Sequence, residues 1–478
     1  MEDKKPFYLT TTIPYVNAAP HIGFALEIVQ ADTIARYKRL MGHEVFFNFG
    51  SDEHGQKIYQ KAMENNQTPQ AYVDEYAAKF ADLKSRLNLS YDTFTRTTSG
   101  THKAAAQEMW VRCAAQNDIY KKKYKGLYCV GDEAFIKESD LVDGKCLNHP
   151  NLTPIEIEEE NYFFRLSKYQ DYILSYLSRD DVVIPEWRRQ EAINFVRNGL
   201  EDFSISRVKE KMSWGVPVPD DDSQVMYVWF DALVNYISAL GWPHDSEGNF
   251  KKFWQEGDTL QLAGKDQVRF QSVMWQGMLK SVGLKATDHV FYHGFITSSG
   301  QKMSKSLGNV IEPLHLVDEY GTDALRYFLL RHIHPTEDSD FTMERFKDAY
   351  NADLANGLGN LVARIMQLAQ NNLEQGKRPE PRGFPSVYIE ALDTYRYNDA
   401  LAFVWDEIQF LDRTITESAP FKVVKTDPKA GAELILKLTQ DLYHIAQLLT
   451  PFMPETAEKI KAAVIENKKP ENLFLRKD

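Results

Sequence analysis

The order of elements in the first fifty residues constrains this chain more than any other feature. Residues 7–13 (FYLTTTI) are rich in β-branched and aromatic side chains and read as a buried strand. Residues 14–20 run from proline to proline and read as a turn-rich connection. A helix starts near His21, with Leu26, Val29, Tyr37 and Leu40 on one face, and Gly42 suits its C-terminal end. A second strand follows at 44–49 and runs into Gly50-Ser51-Asp52-Glu53-His54-Gly55. Strand, loop, helix, strand in that order predicts an α/β fold built on a Rossmann-like, doubly wound parallel sheet. In such sheets ligands bind beyond the strand C-termini.

The rest of the chain divides by texture. Residues 119–224 open on Lys121-Lys122-Lys123-Tyr124-Lys125, carry frequent turns and contain an acidic run at 156–160. This stretch reads as a connective insertion into the sheet domain. Strand and helix signals resume at 226–230, 259–264 and 289–296. From about 345 the pattern turns helical. Leu354, Leu358, Leu361, Ile365 and Leu368 keep helical spacing, as do Leu401, Val404, Ile408, Leu411 and Ile415, and again Leu434, Leu438, Leu442, Ile445 and Leu449. With Pro/Gly-rich joins such as 376–385, these predict a bundle of three long helices. The expected domains are 1–118 with 225–344, the insertion 119–224, and the all-α region 345–478.

Composition closes off several function classes. Lys+Arg 56 against Asp+Glu 68 gives a net charge of −12, so any nucleic-acid contact must be local and geometric. Cys113, Cys129 and Cys146 are too few for a disulfide framework and fit a reducing compartment. The N-terminus carries no apolar or Arg/Ser-rich leader, and no apolar run is long enough to span a bilayer. The expectation is a cytoplasmic protein without a membrane.

Two short motifs carry the chemistry. His21-Ile22-Gly23-Phe24 opens the first helix, where free backbone N–H groups and the helix dipole favour phosphate. Lys302-Met303-Ser304-Lys305-Ser306 follows about 280 residues later, after Ser298-Ser299-Gly300-Gln301, which reads as a mobile connection. Alone, the first would be an ordinary helix cap and the second a solvated surface loop. Together they resemble the two signatures of class I aminoacyl-tRNA synthetases. The resemblance implies a carboxylate attacking the α-phosphate of ATP, with charge spread over phosphoryl oxygens, so positioned donors and cations matter more than a nucleophile. It makes His21, Lys302 and Lys305 the catalytic candidates, with Lys305 the main phosphate contact. ATP would also meet Gly23, Phe24 and Ser304. Phe24 stands where the family usually has histidine.

The flanks narrow the resemblance. Residues 13–17 (IPYVN), the 50–55 segment, Tyr227-Val228-Trp229-Phe230-Asp231-Ala232 and Gly264-Lys265-Asp266 look like the methionyl-tRNA synthetase family, over essentially the whole chain. By matching position, Asp52 would pair with the substrate ammonium. Ile13, Tyr15, Trp229, Ala232, Tyr236 and Gln271 would form the methionine pocket, where a polarizable thioether gains from aromatic edges. Gln267 and Gln271 replace an aliphatic residue and a histidine common in the family. Cys129, Asp132, Cys146 and His149 have the spacing of the family's zinc knuckle with one aspartate in place of cysteine; the alternative is a degenerate knuckle that folds without Zn²⁺. Asn360 and Arg364, one helical turn apart, with Phe421, resemble the anticodon-reading surface. The implied partners are methionine, ATP with Mg²⁺, and methionine tRNA, and the chain is expected to act as a monomer. The alternatives are another class I synthetase, or a catalytically silent synthetase-like tRNA-binding protein.

Overall fold

The computed structural model describes residues 4–477, apart from 131–133, 137, 139–140, 148–150, 246, 304–308, 375–378 and 381. The chain divides into two compact units. The first comprises Met1–Pro20, Gly42–Asp82 and Tyr91–Tyr292, and the second comprises His21–Met41, Leu83–Ser90 and His293–Asp478.

The first unit is built on a six-stranded sheet. Its strands are β1 (Phe7–Thr10), β2 (Val45–Ser51), β3 (Thr93–Arg96), β6 (Val183–Ile184), β7 (Asp258–Gly264) and β8 (His289–His293). Their order is β3-β2-β1-β7-β8-β6. β1 lies parallel to both β2 and β7, and Thr10 stands opposite Asn48 on one side and Gln261 on the other. The chain therefore winds outward from β1 in both directions, which is the predicted doubly wound topology. β1 is buried along its whole length, as expected of an unbroken apolar run in a parallel sheet. Regular pairing stops at Thr10, three residues short of the predicted strand end. The Thr12 N–H still reaches the Leu262 carbonyl at 3.0 Å, and Pro14, which has no N–H, cannot continue the ladder.

Within 119–224, β4 (Ile119–Cys129) and β5 (Ile155–Phe164) form a long antiparallel pair. Its register sets Lys123 opposite Glu160 and Lys125 opposite Glu158, so the basic and acidic runs face each other across two strands. Exposed pairs of this kind are individually weak, and what they fix is pairing and register. The same stretch supplies the edge strand β6 to the central sheet.

In the second unit, α1 (Ile22–Leu40) departs from the predicted single apolar stripe. Leu26, Val29 and Tyr37 are buried, but Leu40 is 38% exposed, while Glu27, Gln30, Asp32 and Thr33 are buried. α1 is enclosed on nearly all sides, so its polar groups need internal partners. Asp32 has three: Arg36 (2.7 Å), Arg326 (2.8 Å) on α5 (Thr322–Arg331), and Ser90 (2.6 Å). The predicted bundle helices appear as α6 (Asn360–Asn372), which continues a π-helical segment Tyr350–Gly359, then α7 (Tyr397–Ser418) and α9 (Pro428–Leu449). The bundle also has helices at Ser386–Asp393, α8 (Pro420–Thr426) and Pro454–Glu466 that the three-helix reading lacked. At 8, 7 and 13 residues they repeat the apolar spacing fewer times than the 22-residue α7 and α9. Ile435 takes the interior position expected of Leu434. Among the described residues no helix is long and apolar enough to cross a membrane.

Candidate active site

The amino-acid-side candidates all lie in the first unit, and three of them, Ile13, Tyr15 and Asp52, follow the C-terminal ends of β1 and β2. Tyr15 and Asp52 are main-chain neighbours through an isolated parallel bridge. The Val16 N–H donates to the Asp52 carbonyl (3.1 Å), and the Asp52 N–H donates to the Pro14 carbonyl (2.9 Å). Asp52 is 7% exposed, and Ile13 is buried beside this bridge. Trp229 and Ala232 sit on α3 (Val228–Ala232), and Tyr236 on α4 (Asn235–Ser238). The Gln271 amide donates to the Tyr236 hydroxyl at 2.6 Å, so glutamine keeps a polar link where the family commonly has histidine. Trp229 stacks on Phe270, with centroids 3.7 Å apart and an interplanar angle of 13°. Gln271 Oε1 and Trp229 Nε1 are buried without a hydrogen-bond partner among the described residues. Both atoms are therefore open to a polar partner supplied from outside the chain.

Three residues of this region were given no role by sequence. Asp231, on α3 between Trp229 and Ala232, is fully buried and meets two histidines. His54 Nδ1 lies 2.6 Å from Asp231 Oδ2, and His102 Nε2 lies 2.8 Å from Oδ1. Burial acts to raise the Asp231 carboxyl, but His54 and His102 outweigh it and hold the group at about 2. His54 and Asp231 stood inside the quoted 50–55 and 227–232 segments. Their partnership spans 177 residues, and no local spacing announces it.

The phosphate-side candidates lie in the second unit. His21 is the N-cap of α1, and its Nδ1 accepts from the Gly23 N–H at 3.1 Å. The cap thus uses one ring nitrogen and, in the neutral ring, leaves the proton on Nε2. A Cβ on Gly23 would stand 2.9 Å from His21 Cε1, so glycine makes room for this cap. The Phe24 ring lies 4.4 Å from the His21 ring, centroid to centroid. The Ile22 N–H donates to the Ile311 carbonyl at 3.0 Å, which ties the helix start to the chain just after the second signature.

The approach to that second signature, read from sequence as a mobile connection, has the form of a tight hairpin. β9 (Ile296–Ser298) pairs antiparallel with β10 (Gln301–Lys302), and Ser299 and Gly300 both have positive φ, 53° and 73°. This is the geometry of a two-residue hairpin turn. β9 also runs parallel to β11 (Ser339–Phe341). Asp340 accepts from the Gly300 N–H (2.7 Å) and the Thr297 hydroxyl (2.8 Å), which braces the turn. Ser304 and Lys305 lie outside the described residues.

The remaining candidates separate in the same way. Asn360, Arg364 and Phe421 line one open cleft of about 450 Å³ with Gln367, Ile415 and Lys469. Arg364 pairs with Asp412 of α7, and Phe421 is 42% exposed. Cys129 and Cys146 are buried and form no disulfide, while Asp132 and His149 lie outside the described residues. Among the described residues no group of three or more metal-binding side chains gathers.

Comparison with known proteins agrees with this geometry. The family model described as tRNA synthetases class I (M) matches residues 7–153 and 137–366. The methionine–tRNA ligase of Rhizobium meliloti is 41% identical over 478 residues, covering 96% of this chain and 92% of that protein. That of Thermotoga maritima is 42% identical, covering 97% and 76%. The Mycobacterium tuberculosis methionyl-tRNA synthetase in complex with methionyl-adenylate superposes with a TM-score of 0.89 at 36% identity, covering 99% of this chain and 100% of that one. Sequence, sheet topology and pocket chemistry thus converge, and the chain belongs to the methionyl-tRNA synthetase family of the class I tRNA synthetases.

Proposed function

We propose that this chain is a methionine–tRNA ligase. Its first step joins the methionine carboxylate to the α-phosphorus of ATP, giving methionyl-adenylate and releasing pyrophosphate. In the second step the hydroxyl at the 3′ end of methionine tRNA attacks the acyl carbon and AMP leaves. The observation that carries the reading is the cluster of half-buried Trp229 and Phe270 with buried Tyr236 and Gln271, in which Gln271 Oε1 and Trp229 Nε1 lack partners among the described residues. An unbranched thioether side chain suits aromatic walls of this kind. Asp52 supplies the counter-charge for the substrate ammonium, which would otherwise enter a desolvated site unpaired. Tyr15, Ile13 and Ala232 shape the pocket. His21, Lys302 and Lys305 stabilise the phosphoryl charge of the transition state, assisted by Gly23, Phe24 and Ser304. Mg²⁺ enters with ATP and neutralises its phosphates.

Residues 1–118 with 225–344 form the catalytic domain, 119–224 the connective insertion, and 345–478 the anticodon-binding domain. Support for the last comes from the cleft that collects Asn360, Arg364 and Phe421, an exposed aromatic beside hydrogen-bonding side chains. Arg364 would exchange Asp412 for a base or phosphate. Zn²⁺ is assigned to Cys129, Asp132, Cys146 and His149. The supporting observation is that Cys129 and Cys146 are 0% and 3% exposed, while Val142 and Leu147 are 54% and 68% exposed. A tip that buries thiols and leaves aliphatics in water fits thiolate ligation better than a small apolar core. Metal analysis of protein purified without chelator should find about one zinc per chain, and a content near zero would remove this assignment.

The deciding experiment is methionine-dependent ATP–pyrophosphate exchange, with leucine as control. Exchange driven by methionine alone is expected, and equal exchange with leucine would defeat the reading. Asp52→Ala should abolish methionine binding by calorimetry and spare ATP. Lys305→Ala should do the opposite of a binding mutant, keeping methionine affinity and lowering kcat by roughly 2–4 kcal/mol.

A further inference from the structure

We propose that Asp231 is a positioning residue for the amino-acid pocket, fixing α3 through His54 and His102 against the segment that carries Asp52. The inference rests on the pocket reading given above and adds what holds that pocket in register.

The need for such a device follows from α3 itself. It is five residues long, begins at Tyr227 without a side-chain cap, and carries both Trp229 and Ala232. A helix of this length has almost no stability of its own, so tertiary bonds must set its position. His54 lies two residues beyond Asp52, on the same chain segment. Its Nδ1, 2.6 Å from Asp231 Oδ2, therefore links the ammonium partner to the helix that forms the side-chain wall. The His54 ring packs against Trp214, whose indole N–H donates to the Glu53 carbonyl at 2.6 Å, so the 52–54 segment is held from its other side too. His102, on α2 (Gly100–Ala115), places Nε2 2.8 Å from Asp231 Oδ1 and Nδ1 2.9 Å from the Ser238 hydroxyl of α4.

The far end of α3 is held by a second chain of bonds. Asn235 donates to the Ala232 carbonyl at 2.7 Å, Asn48 of β2 donates to Asn235 at 3.2 Å, and Thr95 of β3 donates to Asn48 at 2.7 Å. His54, His102 and Asp231 are each no more than 1% exposed, so solvent cannot replace a lost partner. A carboxylate accepts only, so both histidines present N–H to it, and in the neutral ring His102 Nδ1 then accepts from the Ser238 hydroxyl. What the arrangement requires is one N–H at ring position δ1 of residue 54 and one at ε2 of residue 102.

That requirement is the test. His54→Asn and His102→Gln retain an N–H at the corresponding position, whereas His54→Leu and His102→Leu remove it. Asp231→Asn removes the acceptor charge and changes little in shape. In ATP–pyrophosphate exchange, the two leucine variants and Asp231→Asn should raise KM for methionine by about tenfold to a hundredfold, with KM for ATP within about twofold of wild type. The asparagine and glutamine variants should recover most of the methionine KM. If Asp231→Asn does not fold, the two histidine pairs decide, because they leave the carboxylate in place. The inference is overturned if the leucine variants match their amide counterparts, or if the KM values for methionine and ATP rise together. Wild-type protein without methionine-dependent exchange would instead remove the pocket reading, and this inference with it.

Discussion

Each unit anchors a helix that carries candidate site residues with one buried aspartate, and the two aspartates find their partners differently. In the second unit Asp32 holds α1, the helix that begins at His21, by accepting from Arg36, Arg326 and Ser90. In the first unit Asp231 holds α3, the helix of Trp229 and Ala232, by accepting from His54 and His102. Both carboxylates are 0% exposed. Arginine brings permanent charge and five donors. Arg326 spends the rest of its donors on the carbonyls of Leu87, Pro451 and Phe452, so the pair ties α1 to three other segments of its unit. Histidine brings a single directed N–H and a second ring nitrogen that can pass the bond onward. The first solution is a strong structural tie. The second is a short, directional one beside the proposed methionine pocket.

Arg326→Ala tests the tie most severely. It leaves Asp32 with fewer donors and three buried carbonyls unpaired, and should destabilise the protein by about 3–5 kcal/mol. Calorimetry would check this, and a loss below about 1 kcal/mol would mean that Arg36 and Ser90 suffice for Asp32.

Acid should separate the two anchors less sharply. The Asp231 carboxyl sits at about 2 in the folded protein, despite burial, because of His54 and His102. An unfolded carboxyl ionises near 3.9. Its folded value is depressed, so its contribution is present above about pH 4 and is lost as pH falls toward about 2. The amount is on the order of 2 kcal/mol. Urea unfolding of wild type and Asp231→Asn between about pH 5 and 2 should show a flatter profile for the variant. Identical profiles would mean the carboxylate is not held down by its histidines.

The smallest effect lies outside both anchors, on the β9–β10 hairpin. Gly300 has φ 73°, and Gly300→Ala should cost about 1 kcal/mol at that left-handed position. Measured by thermal unfolding, a loss as large as that of Arg326→Ala would show that the hairpin, and not the buried tie, dominates the stability of the second unit.

How much was legible in the sequence depends on how local each feature is. β1, α1 and β2 could be read because burial on a parallel sheet demands unbroken apolar strands, and because proline and glycine punctuate their ends. The interior of α7 was likewise legible, since Leu401, Val404, Ile408, Leu411 and Ile415 all point inward at helical spacing. The cap by His21 was half legible: the motif gave the position, and only the structure shows Nδ1 accepting from Gly23. The charge runs at 121–125 and 156–160 were visible as runs, but their pairing in β4 and β5 was not, because register belongs to two strands at once.

By itself, then, the sequence determined the doubly wound sheet, the helical C-terminal region, the two signatures and the methionyl subfamily. Each of these is written in contiguous or periodic residues. Only the tertiary structure decided that Ser299 and Gly300 make a braced turn, that Arg364 already pairs with Asp412, and that Asp231 joins His54 to His102. The physical reason is burial. A group enclosed on all sides must find partners wherever the fold brings them, and in this chain the partners of Asp231 come from 177 and 129 residues away.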